Sequence, residues 1–276
     1  MIVSKVQKKL RRELKLFNIQ FQDFTKTSPI LVYQSGKVGS STVVDSLQAL
    51  KIKHPIYHVH YLAPDSLTDQ NLGKPKFSKA LRSKIDSYEN ITTINWKIIS
   101  LTRDPIAAAI SSLFQKIGNS QNNVFLKENG EIDKSLVFEE LSSSLKNFSN
   151  SNFCNWFDRE LKTVFNIDIF QYPFNFDDGY ILVKHKNIDL LVIRLEDLNR
   201  SGGQALANFL NLTNPVPIIS SNIGNTKRYK NTYKQVKQNI SISQEICNKI
   251  YNSKYATHFY SQQEILKFTQ KWSKKN

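Results

Sequence analysis

Cysteine is nearly missing from this 276-residue chain: Cys154 and Cys247 stand far apart, with no CxxC and no Cys/His spacing. That excludes a disulfide scaffold and a structural zinc site, and the expectation is a reducing interior with no metal. Long apolar runs are missing too. None approaches the roughly 20 residues that span a bilayer, and the opening MIVSKVQKKLRRELKLF lacks the uninterrupted apolar core of a signal peptide, so a soluble, cytoplasmic protein is expected. Acidic residues are scarce, 23 Asp+Glu against 38 Lys+Arg, a formal net charge of +15. Such a balance suits nucleotides, phosphorylated or sulfated sugars, nucleic acid or acidic membrane surfaces, and does not choose among them. Asn-X-Ser/Thr triplets at Asn90, Asn147, Asn199, Asn211 and Asn239 reflect an asparagine-rich composition, since no secretion signal accompanies them.

What is there reads as one enzyme-sized unit. Strands are expected at 30–34, 55–62, 96–102, 179–185 and 188–195, and helices at 40–51, 76–87, 105–117, 135–146, 153–165 and 202–211, with three more near the C-terminus. Strands and helices alternate through the first 117 residues, and KIISLT and LLVIRL are nearly unbroken apolar runs, as in strands covered on both faces. An α/β fold with a mostly parallel central sheet flanked by helices follows. GYILVKHKNIDLLVIRL differs: its short polar Lys186-Asn187 turn predicts an antiparallel hairpin beside the sheet. Residues 1–28 form a basic helical extension, with Val3, Val6, Leu10, Leu14 and Phe17 at helical spacing. It packs on the domain or lies peripherally on an anionic inner-membrane surface. Residues 29–276 make a single domain, and the Asn-, Ser- and Lys-rich stretch 118–152 is a polar insertion suited to a lid.

The chemistry begins at PILVYQSGKVGSSTVVDSL, residues 29–47, a strand feeding a turn of small residues into a helix. Such a turn aims backbone N–H groups and the positive end of a helix dipole at one point, where phosphate or sulfate binds. A nucleoside-triphosphate P-loop needs GxxxxGK[ST], with a hydroxyl after the lysine for magnesium. Here Val38 follows Lys37, and position 32, where the first glycine belongs, is valine.

Lysine instead precedes Gly39-Ser40-Ser41-Thr42, so the cation sits early in the loop and hydroxyls open the helix. A second element follows at SLTRDPIAAAISSLF: Arg103 closes a strand, Asp104 is a capping residue, Pro105 sits at its favoured first helical position, and Ser111 comes two helical turns later. Guanidinium and hydroxyl can then share one phosphate. These two elements resemble the sulfotransferases that bind 3′-phosphoadenosine 5′-phosphosulfate (PAPS).

The resemblance, spread over residues 29–272, implies a three-layer P-loop-like fold, PAPS as cofactor, Lys37 through Thr42 on the 5′-phosphosulfate, and Arg103 with Ser111 on the 3′-phosphate. The stretches 155–170 and 192–212 resemble bacterial sulfotransferase-like capsular polysaccharide synthesis proteins, named for an Asn-Lys-Trp-Tyr-Ser motif. This chain offers Asn155-Trp156-Phe157 without the lysine or the Tyr-Ser ending. SSNIGNTKRYKNTY (220–233) is similar to the late loop that closes over PAPS in carbohydrate sulfotransferases, which makes Lys227 a candidate phosphate contact.

For a proton acceptor, YHVHYL places His58 and His60 two apart on one face of a strand, near the end where α/β sites assemble. A similar His-X-His occurs in uronyl and heparan 2-O-sulfotransferases. His60, nearer the strand end, is the expected base, with His58 orienting it or touching substrate; a pKa near 6.5 suits the task. Lys37 is expected to stabilise charge on the bridging oxygen. Glu196 and Asp197 in RLEDL read as a structural corner, capping the next helix or pairing with Arg194, while Trp156, Phe157 and Asp158 are candidates for an acceptor groove or for helix packing.

The sequence thus predicts a PAPS-dependent sulfotransferase acting on a carbohydrate hydroxyl of a surface or capsular polysaccharide, without nucleic acid as partner. Two other readings stay open: a P-loop kinase or NTPase, and a basic, non-enzymatic nucleic-acid or membrane-surface binding protein.

Overall fold

The computed structural model describes residues 16, 18–69, 76–88, 93–119, 125, 132–220 and 230–273. Five strands form one sheet: β1 (Ile30–Tyr33), β2 (Ile56–Val59), β3 (Trp96–Thr102), β4 (Tyr180–His185) and β5 (Ile188–Arg194), in the spatial order β2-β1-β3-β5-β4. All pairings are parallel except β4 with β5, the hairpin expected around Lys186-Asn187. Lys186 takes the left-handed conformation that a tight turn of this kind needs.

The unbroken apolar strands have the physical cause the sequence suggested. Leu31, Tyr33, Ile98, Leu190 and Val192 are buried in one hydrophobic cluster, and Ile30, Val32, Ile99, Leu101, Leu191 and Ile193 in another. Alternate residues of each strand therefore face two separate cores, one on each side of the sheet. On the second side lie α1 (Ser40–Ala49) and the helix Leu198–Leu210, contributing Val43, Leu47, Leu206 and Phe209. The first side carries Ile19 and Phe24 from the N-terminal segment, and Trp156, Phe157 and Leu161. A mostly parallel α/β sheet flanked by helices is the architecture read from the sequence.

The chain runs from β1 outward to β2, then returns across β1 to β3, so the connections leave the sheet in opposite directions at the crevice between the C-terminal ends of β1 and β3. That is the topological switch point, where open α/β sheets bind ligands.

Several elements differ from the sequence expectation. β2 ends at Val59, which leaves His60 just beyond the ladder. The segment expected as an ordinary helix over 153–165 contains a π-helical turn, Phe157–Lys162, running on through Thr163–Phe165. The C-terminal region holds four helices where three were expected: Lys230–Asn239, Gln244–Tyr251, Lys254–Phe259 and Gln262–Trp272. Within the polar stretch 118–152, Lys134–Lys146 is a helix capped by Asp133, whose carboxylate accepts from the Ser135 and Leu136 N–H groups. Its Val137, Leu141 and Leu145 share a buried cluster with Ile110 and Phe114, so this half is anchored by a hydrophobic face. Among the described residues no helix is long and apolar enough to cross a membrane.

Candidate functional site at the crevice between β1 and β3

The turn after β1 has an unusual backbone. Lys37 lies at φ 72° and Gly39 at φ 84°, both left-handed, on either side of Val38. Glycine adopts that conformation freely, whereas for lysine it costs about 1–2 kcal/mol. α1 begins at Ser40 without a side-chain hydrogen bond capping its N-terminus, although the Thr42 N–H donates to the Gly39 carbonyl at 3.1 Å. Val38 turns its side chain into the core beneath the loop and is fully buried. Of this residue only the backbone can meet a ligand.

Arg103, one residue past β3, reaches the same turn: its Nη1 donates to the Lys37 carbonyl oxygen at 2.9 Å. Its backbone is fixed by Tyr255, whose hydroxyl accepts from the Arg103 N–H at 2.9 Å and lies 3.0 Å from its carbonyl oxygen, to which it donates. Elements separated by 66 positions are therefore joined across the switch point, through a contact the sequence reading, which paired Arg103 with Ser111, did not include. Ser111 lies within the helix Pro105–Asn119, half-buried. Lys227, the remaining expected phosphate contact, lies outside the described residues.

Asp104 anchors that helix more firmly than a cap alone would. Oδ1 accepts from the Ile106 N–H at 3.0 Å and from the Tyr251 hydroxyl at 2.8 Å, and Oδ2 accepts from Trp272 Nε1 at 2.9 Å. The Asp104 N–H in turn donates to Glu196 Oε1 at 2.9 Å. Glu196 keeps an open side toward solvent yet has protein packed around it, as on a concave wall, and loss of surrounding water pushes its carboxyl up despite that hydrogen bond. Asp197 pairs with the buried Arg194 at 2.5 Å, which also holds Glu264 at 2.8 Å. Asp197 makes no side-chain cap on the following helix, so of the two roles expected for this corner the ion pair is the one observed for it.

The histidines sit beside the turn. His58 Nε2 is 2.9 Å from Ser40 Oγ, the first residue of α1. His60 Nδ1 lies 3.0 Å from the Gln34 carbonyl oxygen, which can only accept. The proton therefore resides on Nδ1, and Nε2 carries the lone pair in the neutral ring. Burial, with the Lys37 charge assisting, holds the His60 pKa below its ordinary value. The two imidazoles meet edge to face, with centroids 5.0 Å apart. His60 is thus oriented by a backbone carbonyl at the end of β1, while His58 contacts the turn.

Trp156 and Phe157 do not line a groove: each is 2% exposed, inside the core. Sequence reasoning missed what this segment does instead. Trp156 Nε1 donates to the His60 carbonyl oxygen at 2.8 Å, and the buried Glu160 accepts from the Leu62 and Ala63 N–H groups at 2.7 and 2.9 Å and from the Tyr33 hydroxyl. These partners lie about a hundred positions away in sequence, so no local pattern announces them. The one local signal is that Glu160 lies beside the buried Leu161, three positions after the buried Phe157, on the core-facing side of the segment.

Residues 129–261 match the model of the NKWYS family, whose description is "Putative capsular polysaccharide synthesis protein". No curated protein matches the chain. The matched stretch takes in the π-helical turn, the β4–β5 hairpin and the Arg194 corner; the turn after β1, the two histidines and Arg103 precede it. Over that stretch, just under half of the chain, the similarity is to proteins of that description.

Proposed function

We propose that this chain is a sulfotransferase that moves the sulfuryl group of PAPS onto a carbohydrate hydroxyl during polysaccharide synthesis, in the cytoplasm or at the inner face of its membrane. The observation that carries the reading is the hydrogen bond from Arg103 to Lys37, which brings two anion-binding elements together at the crevice between β1 and β3. A donor with a 5′-phosphosulfate and a 3′-phosphate needs two such elements; a single phosphate would need one. The left-handed turn and uncapped helix start fit the first group, and the Arg103 guanidinium, whose hydrogen bond goes to a neutral carbonyl and leaves its charge intact, fits the second.

PAPS, when bound, supplies a sulfuryl group whose bond to the 5′-phosphate oxygen breaks as a bond to the acceptor oxygen forms, leaving adenosine 3′,5′-bisphosphate. The N–H groups from Val38 to Ser41, with the hydroxyls of Ser40, Ser41 and Thr42, hold the 5′-phosphate. Lys37 stabilises the negative charge that grows on the leaving oxygen. Arg103 and Ser111 hold the 3′-phosphate. His60 Nε2 takes the acceptor proton, and the hydrogen bond from Nδ1 to Gln34 keeps that nitrogen basic.

The NTPase reading needs a hydroxyl after the lysine, and Val38 supplies only a buried isopropyl group there. The test is transfer of radiolabelled sulfuryl from PAPS to a panel of neutral and acidic oligosaccharides. Transfer lost by roughly 10²–10⁴-fold in His60→Ala is expected. A wild-type protein that ignores PAPS and adenosine bisphosphate but hydrolyses ATP with magnesium would overturn the proposal, as would salt-sensitive duplex binding alone.

A further inference from the structure

His60 lies one residue beyond β2, so no ladder partner fixes its backbone. The chain around it is instead tied down by other means. Ahead of it, the Val59 carbonyl accepts from the Gln34 N–H at 3.4 Å. Its own carbonyl accepts from Trp156 Nε1, and the next two N–H groups after Tyr61 end on Glu160. Trp156 and Glu160 both belong to the segment that turns π-helically, and such turns are rare and concentrated at functional sites.

We propose that Trp156 and Glu160 are positioning residues for His60, clamping the chain on its C-terminal side so that the imidazole stays rotated with Nδ1–H on the Gln34 carbonyl. Glu160 is 1% exposed, and its second oxygen, Oε1, has no hydrogen-bond partner. A buried carboxyl group with one oxygen unpartnered is costly, and an apolar side chain would fill the space at lower cost. What an apolar side chain could not do is accept three hydrogen bonds at one point, from Leu62, Ala63 and the Tyr33 hydroxyl at the end of β1. The carboxylate thus ties the end of β2 to the end of β1, the two strand ends between which His60 and Gln34 meet. The Trp156 ring packs edge-on against Tyr33, with centroids 4.6 Å apart, which completes the clamp.

This inference rests on His60 as the base of the proposed reaction, and its test has one arm that does not. Nitrogen NMR of the His60 ring reads the tautomer directly. Wild type should show the proton on Nδ1; Trp156→Phe, which keeps an aromatic ring and removes the donor, should show a mixture of tautomers. Glu160→Gln should shift the tautomer less than Glu160→Ala, because the amide oxygen can still accept. Leu161→Ala, on the same turn but contributing only packing, should lower the melting temperature and leave the tautomer as in wild type. In turnover, Trp156→Phe should lower kcat by on the order of 10- to 100-fold with KM for the donor unchanged, as expected when a reacting group is displaced and the donor site is intact. A folded Trp156→Phe protein with the wild-type tautomer and kcat would overturn the clamp. A wild type without transferase activity but with these tautomer shifts would overturn the reaction and keep the clamp.

Discussion

Arg103 Nη1 stands 2.9 Å from the carbonyl oxygen of Lys37, a contact made across the crevice where the sheet's connections diverge. It couples the position of a strong cation to the shape of the turn after β1. The carbonyl it holds belongs to a residue in a left-handed conformation that an L side chain adopts only at a cost. Binding geometry and backbone strain at this turn are therefore coupled.

Gly39 and Gly36 should respond differently to the same methyl group. At Gly39 φ is positive and an added Cβ would run into the Leu195 side chain; at Gly36 nothing lies within 4 Å. Leu195 can rotate away, so the lasting cost at Gly39 is conformational, about 1–2 kcal/mol. Denaturant titration should show Gly39→Ala destabilised by that amount and Gly36→Ala close to wild type. Equal stability of the two variants would mean the turn is not held as described.

The pH dependence of turnover should follow His60. Burial and the Lys37 charge lower its pKa, so the neutral, proton-accepting form persists to pH values below the ordinary value of about 6.5. kcat/KM should rise with pH through a midpoint below 6.5 and be flat at neutrality. Stability follows the same sign: the unfolded chain binds the proton more readily than the native state, so stability is complete above about 6.5 and falls as pH drops toward the folded value. Lys37→Met removes the repelling charge and should move the His60 titration, followed by NMR, upward. Movement downward would contradict the account.

The Arg194 corner should be the costliest ion-pair site to break. Arg194 is 2% exposed, pairs with Asp197 and Glu264, and donates to the Phe176 and Phe259 carbonyls. Among the described residues, Arg194→Met leaves Asp197 with only the exposed Arg200 and Glu264 with only Ser261, and should cost about 3–5 kcal/mol, or roughly 10 °C in melting temperature for a chain of this size. Lys97→Met, which removes a half-exposed pair with Asp189, should cost at most about 1 kcal/mol. Calorimetry that ranks the two in the opposite order would overturn this assignment.

Binding of adenosine 3′,5′-bisphosphate should persist in excess chelator. The turn presents N–H groups, hydroxyls and cations, and among the described residues no cluster of His, Cys, Asp or Glu stands ready for a metal ion. Affinity that collapses with chelator would return attention to a magnesium-dependent nucleotide site.

How far the sequence carried differs between fold and site. The sheet was legible because β3 and β5 are nearly unbroken apolar runs, as in strands covered on both faces, and because Lys186-Asn187 punctuates the hairpin. That the turn and Arg103 share one edge of the sheet follows from motif order, but the contact itself was not legible, because Arg103 meets a backbone carbonyl of Lys37 and not a side chain. The orientation of His60 was not legible, because it depends on the Gln34 carbonyl, a backbone atom that carries no residue signature. Trp156 and Glu160 were misread or missed because apolar spacing does not separate an α-helical from a π-helical turn, and because Asp158, Arg159 and Lys162 disguise the one buried charge among exposed or half-buried ones.

The central claim is that Lys37 and Arg103 form one donor site, and calorimetric titration with adenosine 3′,5′-bisphosphate tests it most directly. Wild type should bind with micromolar affinity in the absence of metal, and Lys37→Ala and Arg103→Ala, both still folded, should each lose at least about tenfold, a difference of about 1.4 kcal/mol. Folded wild-type protein that fails to bind, or binding that survives both substitutions unchanged, would contradict the account.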